Sequence, residues 1–234
     1  MQYMGSKARI VKQILPQMLR ERQPDQTWVE PFVGSGSVIM NVEGKRIGND
    51  LCRPIVSLLE AVANGWCPPE TISAEEYKAI KNSQDSYPSE LVGFVMFGCS
   101  FGGKGWGGYA RNNSGANYAA MARKALLRDA PKLKGIVWKS ESYLDLNIPE
   151  RSLIYCDPPY ASTTGYTLSF DHRRFWNWCR EKSNEGHTVF ISEYSAPADF
   201  ECVLEISHST TLNKNVRNSR TEKLFRRYPD SELW

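Results

Sequence analysis

The residues with the most chemical potential are Cys156-Asp157-Pro158-Pro159-Tyr160, which follow the apolar run Leu153-Ile154-Tyr155. A strand that stops at Asp-Pro-Pro-aromatic leaves non-helical backbone at the carboxyl edge of a sheet, where open α/β folds bind ligands. The Asp157 carboxylate can accept a hydrogen bond from an amino group. Pro158 and Pro159 carry no N–H and fix a carbonyl as a second acceptor, and Tyr160 offers a stacking face. Together they suit a planar, amine-bearing base taken out of its stack. Alone, the run also reads as a proline-rich turn in which Asp157 caps the backbone.

A second set is Glu30-Pro31-Phe32-Val33-Gly34-Ser35-Gly36-Ser37, read as ending a strand and opening a helix. Gly34 and Gly36 permit close backbone approach to a cofactor, and a helix N-terminus favours a carboxylate. Ile39 stands where a dinucleotide fingerprint needs its third glycine, which counts against that site. Asp50 ends the next strand and suits a ribose diol, or else caps the helix that follows. Tyr3-Met4-Gly5-Ser6-Lys7 precedes the first helix and by itself reads as a cap. His172, His187 and His208 show no metal-ligand spacing. Phe175, Trp176 and Trp178 fall in a predicted helix, where core packing is the expected role.

These residues need a sheet to position them. Residues 7–22 carry Ile10, Ile14 and Met18 at helical spacing, with Pro16 as a kink. Residues 27–32 and Lys45–Asp50 read as short strands on either side of the glycine turn, and a helix follows that stops at Gly65. This order opens an α/β parallel sheet. Ser73 and Glu76 form a capping-box pattern for a short helix. A glycine-crowded stretch, Gly98–Gly115, then interleaves Lys104, Trp106, Tyr109 and Arg111, and a basic helix follows near 118–130. Strand-like runs return at Gly135–Trp138, Leu153–Cys156, Thr188–Ser192, Cys202–Ile206, Thr210–Val216 and Lys223–Arg226, with a helix over Asp171–Asn184. Leu153 lies 103 positions after Asp50, roughly twice what a parallel crossover needs. Residues 66–134 therefore read as an inserted recognition region, leaving 1–65 and 135–234 as the α/β domain.

Hydrophobic residues make up 41% and charged residues 24% of the 234, which excludes disorder as the main state. No apolar run is long enough to span a membrane, and the N-terminus lacks the apolar core of a secretory leader. Six cysteines without a CxxC pair read as reduced thiols of a cytoplasmic protein, not as a disulfide frame or zinc site. The net charge of +3 is segregated: +4 over residues 1–22, +7 over 100–139, +5 over 207–227 and −13 elsewhere. That distribution suits a polyanion-binding face on an acidic body, or three solvated basic surfaces.

The ordered set YMGSK, EPFVGSGS, IGND, ESYLD (141–145) and DPPY resembles the Dam-type DNA adenine methyltransferases, in which the cofactor motif precedes the catalytic one. The resemblance implies a Rossmann-like sheet carrying an inserted, mainly helical target recognition region. It implies S-adenosylmethionine as cofactor and the N6 amine of adenine in double-stranded DNA as acceptor. Carried over by residue, Asp157, Pro158, Pro159 and Tyr160 match the catalytic motif. Tyr3, Lys7, Glu30, Pro31, Phe32, Gly34, Gly36, Asp50 and Tyr143 match cofactor-binding positions, and Asp157 borders both sets. Cys156 invites a nucleophile reading, yet amine methylation needs no covalent base adduct, so it reads as a buried strand residue. In the short insert, Arg111 is expected to read a base and Lys104 to anchor the DNA backbone, with Trp106 and Tyr109 filling the gap in the stack. The alternative is a loop that lids the cofactor pocket. The expected protein is a monomer needing neither metal nor membrane, from a bacterial cytoplasm, with a phage or restriction-modification setting. Alternatives are cytosine N4 methylation, RNA or protein-glutamine methylation, and a silent DNA-binding protein that kept the fold.

Overall fold

The computed structural model describes residues 1–112, 115–159, 170–213 and 216–230, with side chains at 208–220 excepted. In chain order the elements are α1 (Val11–Glu21), β1 (Trp28–Glu30), β2 (Arg46–Asn49), α2 (Arg53–Ala63), α3 (Ala74–Asn82), α4 (Ser89–Gly93), α5 (Tyr118–Leu133), β3 (Ile136–Lys139), β4 (Leu153–Cys156), α6 (His172–Asn184), β5 (Thr188–Glu193), β6 (Glu201–Asn213) and β7 (Val216–Arg227). The architecture is a mixed, mostly parallel seven-stranded α/β fold with flanking helices, the Rossmann-like class expected from the sequence. Two compact units divide the chain: Met1–Arg9 with Val33–Asp145, and Ile10–Phe32 with Leu146–Trp234.

In the first unit β2 and β3 pair in parallel, with Arg46 opposite Ile136 and Asn49 opposite Lys139. Helix α2 buries Ile55, Val56, Leu58, Leu59 and Val62, an apolar stripe at helical spacing, and ends before Gly65 as expected. The capping box at α3 is present in both directions. Glu76 N donates to Ser73 Oγ at 3.1 Å, and Ser73 N donates to Glu76 Oε2 at 2.7 Å. Helix α4 runs on into a π-helical turn at Phe94–Gly98 that the sequence reading missed. Its apolar run carries no periodicity, so nothing in the pattern distinguishes helix from strand. A Cβ on Gly93 would lie 2.0 Å from the Pro54 carbonyl oxygen, so α4 meets α2 at backbone contact.

One expectation fails here. The glycine turn does not open an α-helix; only a 3-10 turn, Ile39–Asn41, follows it. The β-branched Val38, Ile39 and Val42 are buried there, and the chain turns directly into β2. This turn therefore presents no α-helix N-terminus to a carboxylate.

In the second unit β1 and β5 both pair in parallel with β4, and β7 and then β6 add antiparallel. Strands β1 and β4 are buried along their length, which is why they read as continuous apolar runs rather than alternating ones. Helix α6 begins on Asp171, whose side chain accepts from Arg174 N at 2.9 Å. Phe170 and Phe175 close a hydrophobic staple across that cap, with ring centroids 5.5 Å apart. The strand expected at 202–206 and the first part of the one expected at 210–216 are one strand, β6, held by its pairing with β7, and Val216 opens β7 instead. The helix expected from residue 7 starts at Val11, after a separate 3-10 turn over Lys7–Arg9.

Candidate functional site

In the first unit the backbone N–H of Gly34 donates to Asp50 Oδ2 at 2.9 Å, and Cys52 N–H donates to Asp50 Oδ1 at 2.9 Å. Burial pushes the Asp50 carboxyl above its usual range, and these two N–H groups pull it back. Asp50 thus props the glycine turn as well as the approach to α2, although Cys52 is the residue at the cap. Gly34 takes φ +47, and a Cβ there would lie 3.1 Å from Tyr3 Cε1. The Tyr3–Lys7 segment lies along the turn. Lys7 N–H donates to Ser37 Oγ at 3.2 Å, Ser35 Oγ meets Ser6 Oγ at 3.2 Å, and the Lys7 side chain is buried.

Asn49, fully buried, fastens the segment that carries Tyr143. Its Nδ2 donates to Glu141 O at 2.9 Å, and Glu141 N–H returns to its Oδ1 at 3.1 Å. The structure therefore brings Tyr3, Lys7, Gly34, Gly36 and Asp50 around one turn, and Asn49 ties the segment that carries Tyr143 to the strand that Asp50 follows. A glycine whose Cβ position is already crowded by an aromatic ring, together with a half-buried acid, fits a ligand with a ribose diol. These residues are candidates for holding S-adenosylmethionine. Leu51, next to Asp50, is 66% exposed, an apolar neighbour that the sequence reading passed over.

The second unit holds Glu30, Pro31, Phe32 and the Asp157, Pro158 and Pro159 expected to be catalytic. The carboxyl ends of β1 and β4 are neighbours in a parallel pair, so Glu30 and Asp157 come from adjacent strand ends. Glu30 is buried and accepts from Trp28 Nε1 at 2.9 Å. Burial, with the charge of Asp157 adding to it, raises the Glu30 carboxyl well above the usual range, against the pull of the Trp28 bond. Asp157 is half-buried, Pro158 buried and Pro159 half-buried. The Phe32 ring meets Phe170 and Phe175 edge-on, each at 5.7 Å. Tyr160 lies outside the described residues. Cys156 is fully buried, the strand residue expected, and Phe175 and Trp178 are core.

The glycine-crowded stretch is a braced loop. Ser100 bridges Tyr109, and Phe101 N–H donates to Gly108 O at 2.9 Å. Trp106 and Tyr109 pack edge-on against Tyr77, at 5.4 and 5.7 Å, and the Tyr109 hydroxyl donates to Ile72 O at 2.7 Å. Both aromatics expected to enter a base stack are thereby engaged in holding the loop. The exposed aromatic is Phe101, at 68%, which the sequence reading missed. Its signal was a lone aromatic set between Ser100 and a glycine pair. Lys104 and Arg111 are exposed, with no ion pair among the described residues.

Residues 3–91 match the model of the D12 class N6 adenine-specific DNA methyltransferases. The chain is 26% identical over 225 residues to a DNA adenine methylase of Salmonella typhi, covering 86% of this chain and 78% of that one. It is 27% identical over 170 residues to a DNA adenine methylase of Escherichia coli K12, covering 63% and 61%. Among solved structures, SMU.472 complexed with SAH aligns over 95% of this chain at 13% identity and a TM-score of 0.39, and this chain spans 52% of that one. Family match, relatives and the ordered motifs point the same way: the chain is similar to the D12 class N6 adenine-specific DNA methyltransferases over residues 3–91 and to DNA adenine methylases over most of its length.

Proposed function

We propose that the chain methylates the exocyclic N6 amine of an adenine extruded from double-stranded DNA, with Asp157 and a proline carbonyl of the catalytic motif holding that amine. The observation that carries this reading is Asp157 at the end of β4, half-buried and followed by two prolines beside the carboxyl end of β1. S-adenosylmethionine supplies a methyl group on a sulfonium sulfur. The N6 lone pair forms the new N–C bond as the C–S bond breaks, the bonding pair leaves with sulfur, and the nitrogen then sheds a proton.

The chain's own residues position and polarise. Two acceptors on the amine hydrogens orient the lone pair for in-line attack, and Asp157 offsets the positive charge that grows on nitrogen. In the first unit Asp50 keeps the Gly34 turn in place and is the candidate for the ribose hydroxyls; Tyr3, Lys7 and Gly36 line the same turn and Tyr143 is the further donor-binding candidate, while Glu30, Pro31 and Phe32 precede the turn in sequence. The mainly helical segment 66–134 is proposed as the DNA recognition region, with Phe101, Lys104 and Arg111 its exposed contacts. Tyr160 is the proposed stacking face.

Incubating the protein with labelled methyl donor and duplex DNA, then digesting to nucleosides, tests the reading. N6-methyladenine is the expected product. N4-methylcytosine would move the activity to the other amine, and label in RNA or protein, or nowhere, would overturn it. Asp157→Ala should lower turnover by orders of magnitude while donor affinity falls far less, because the amine acceptor acts on the transition state.

A further inference from the structure

Beneath the catalytic motif lies a buried polar row that the reaction as described does not use. Strands β1 and β4 pair with Trp28 opposite Leu153 and Val29 opposite Ile154. Side chains alternate along a strand, so Trp28 and Glu30 share a face, and Asp157, one residue past the end of β4, lies close enough for its charge to reach both Glu30 and Tyr155. The Trp28 and Tyr155 ring centroids are 6.2 Å apart, which puts Tyr155 on the face of Trp28 and Glu30. On β5, Ile191 lies opposite Cys156, so Ser192 joins that face, and the Tyr155 hydroxyl meets Ser192 Oγ at 2.8 Å.

Trp28, Glu30, Tyr155 and Ser192 are all fully or almost fully buried. A carboxyl and a phenol placed there cost free energy unless hydrogen-bonded, and each has a hydrogen-bond partner: the Trp28 indole and Ser192. A leucine and a phenylalanine would fill the same space without that cost. The polar pair calls for another reason.

We propose that Glu30, oriented by the Trp28 indole, is a positioning residue for Asp157 and acts as a neutral acid. The inference rests on the methyltransferase reading. An amine acceptor works best when it is the single anion at the strand ends, and a second carboxylate on the adjacent strand would compete for the same protons. The groups facing this region are Trp28 on β1, Tyr155 and Asp157 on β4, Ser192 on β5, and Glu222 on β7, whose charge reaches Tyr155. Burial is the largest cause raising both Glu30 and Tyr155, which disfavours a charge on either. This role differs from donor binding, the role its motif suggests.

The test compares the full-length protein with Glu30→Gln, Glu30→Ala and Trp28→Phe, in single turnovers on duplex DNA and in donor titrations by calorimetry. Glu30→Ala should slow methyl transfer by about thirtyfold and Trp28→Phe by about tenfold, while donor Kd stays within about threefold. Glu30→Gln should rescue most of what Glu30→Ala loses. Independently of activity, the infrared band of a protonated carboxyl at neutral pH should disappear in Glu30→Gln.

Donor affinity weakened with the saturated rate kept would make Glu30 a donor ligand and overturn the proposal. So would Glu30→Gln losing as much as Glu30→Ala, an unchanged rate in Glu30→Ala, or an infrared band that stays in Glu30→Gln. Should Glu30→Ala fail to fold, Glu30→Gln, Trp28→Phe and the infrared band still decide. A parent protein that transfers no methyl group sinks the methyltransferase reading, whereas an active parent with indifferent variants sinks this inference alone.

Discussion

Two basic stretches, 100–111 and 223–227, look alike in sequence and differ in what the fold does with them. In the first, Lys104 and Arg111 are exposed, and Phe101 stands out of a loop whose other aromatics are packed inward. In the second, Arg226 and Arg227 are buried. Arg226 Nε bonds Glu21 Oε2 at 2.7 Å, and its guanidinium lies over the Phe190 and Tyr228 rings. Arg227 pairs with Asp230 and, at 3.6 Å, with Asp199, and lies over Phe200. Lys223 pairs with Glu205 at 2.6 Å. A polyanion can use only cations that are not already used by the fold. The charge count of the second stretch therefore overstates its part in any DNA-binding face, and the same correction applies to Arg123, held on Pro68 O and Cys67 Sγ, and Arg128, held on Asp129.

The comparison breaks most sharply at Arg227. Arg227→Ala removes a fully buried side chain and two ion-pair partners, and should cost about 3 kcal/mol of stability, mostly as lost packing. Chemical denaturation measures that loss. DNA affinity of the folded fraction should keep its salt dependence. A salt slope reduced as in a phosphate contact would show that Arg227 belongs to the binding face and that burial has been misjudged as a criterion.

The difference also explains what was legible in the sequence. Strands β1, β2 and β4, helices α2, α5 and α6, and the capping box at Ser73 were readable, because their periodicity and caps are local properties. So were the places of Asp50 and Asp157, each just past the end of a strand. The prop that Asp50 gives to Gly34 was not readable, since it joins residues sixteen apart in sequence through one hydrogen bond. Nor was the engagement of Trp106 and Tyr109 with Tyr77, which depends on how α3 meets the loop. Charge partners such as Glu21 for Arg226, 205 residues away, belong to the same class of long-range fact.

Next in size is Phe101. If the exposed aromatic of the loop stacks against bases, Phe101→Ala should cost about 2 kcal/mol of DNA affinity, and Phe101→Trp should restore it. Loop stability should hardly change, because the ring is mostly in solvent. Trp106→Ala should do the reverse and loosen the loop through loss of its contact with Tyr77. Fluorescence titration with labelled duplex and thermal melting of each variant separate the two. Equal DNA effects from both residues would mean that the loop acts only as a scaffold.

The smallest effect, and the one that sharpens the comparison most, separates Arg111 from Lys104. A guanidinium presents a planar fork that matches guanine, whereas an ammonium acts as a point charge on phosphate. Arg111→Ala should cost about 1–2 kcal/mol on the preferred sequence and relax discrimination at one position. Lys104→Ala should weaken all sequences alike and reduce the slope of log affinity against log salt by about one. Both residues are exposed and sit in the same unit, so burial or stability cannot explain a difference between them. Affinity measured over a salt series, on preferred and scrambled duplexes, gives both numbers at once. If instead both variants keep DNA affinity and lose affinity for the methyl donor, the loop closes over the cofactor and carries no recognition.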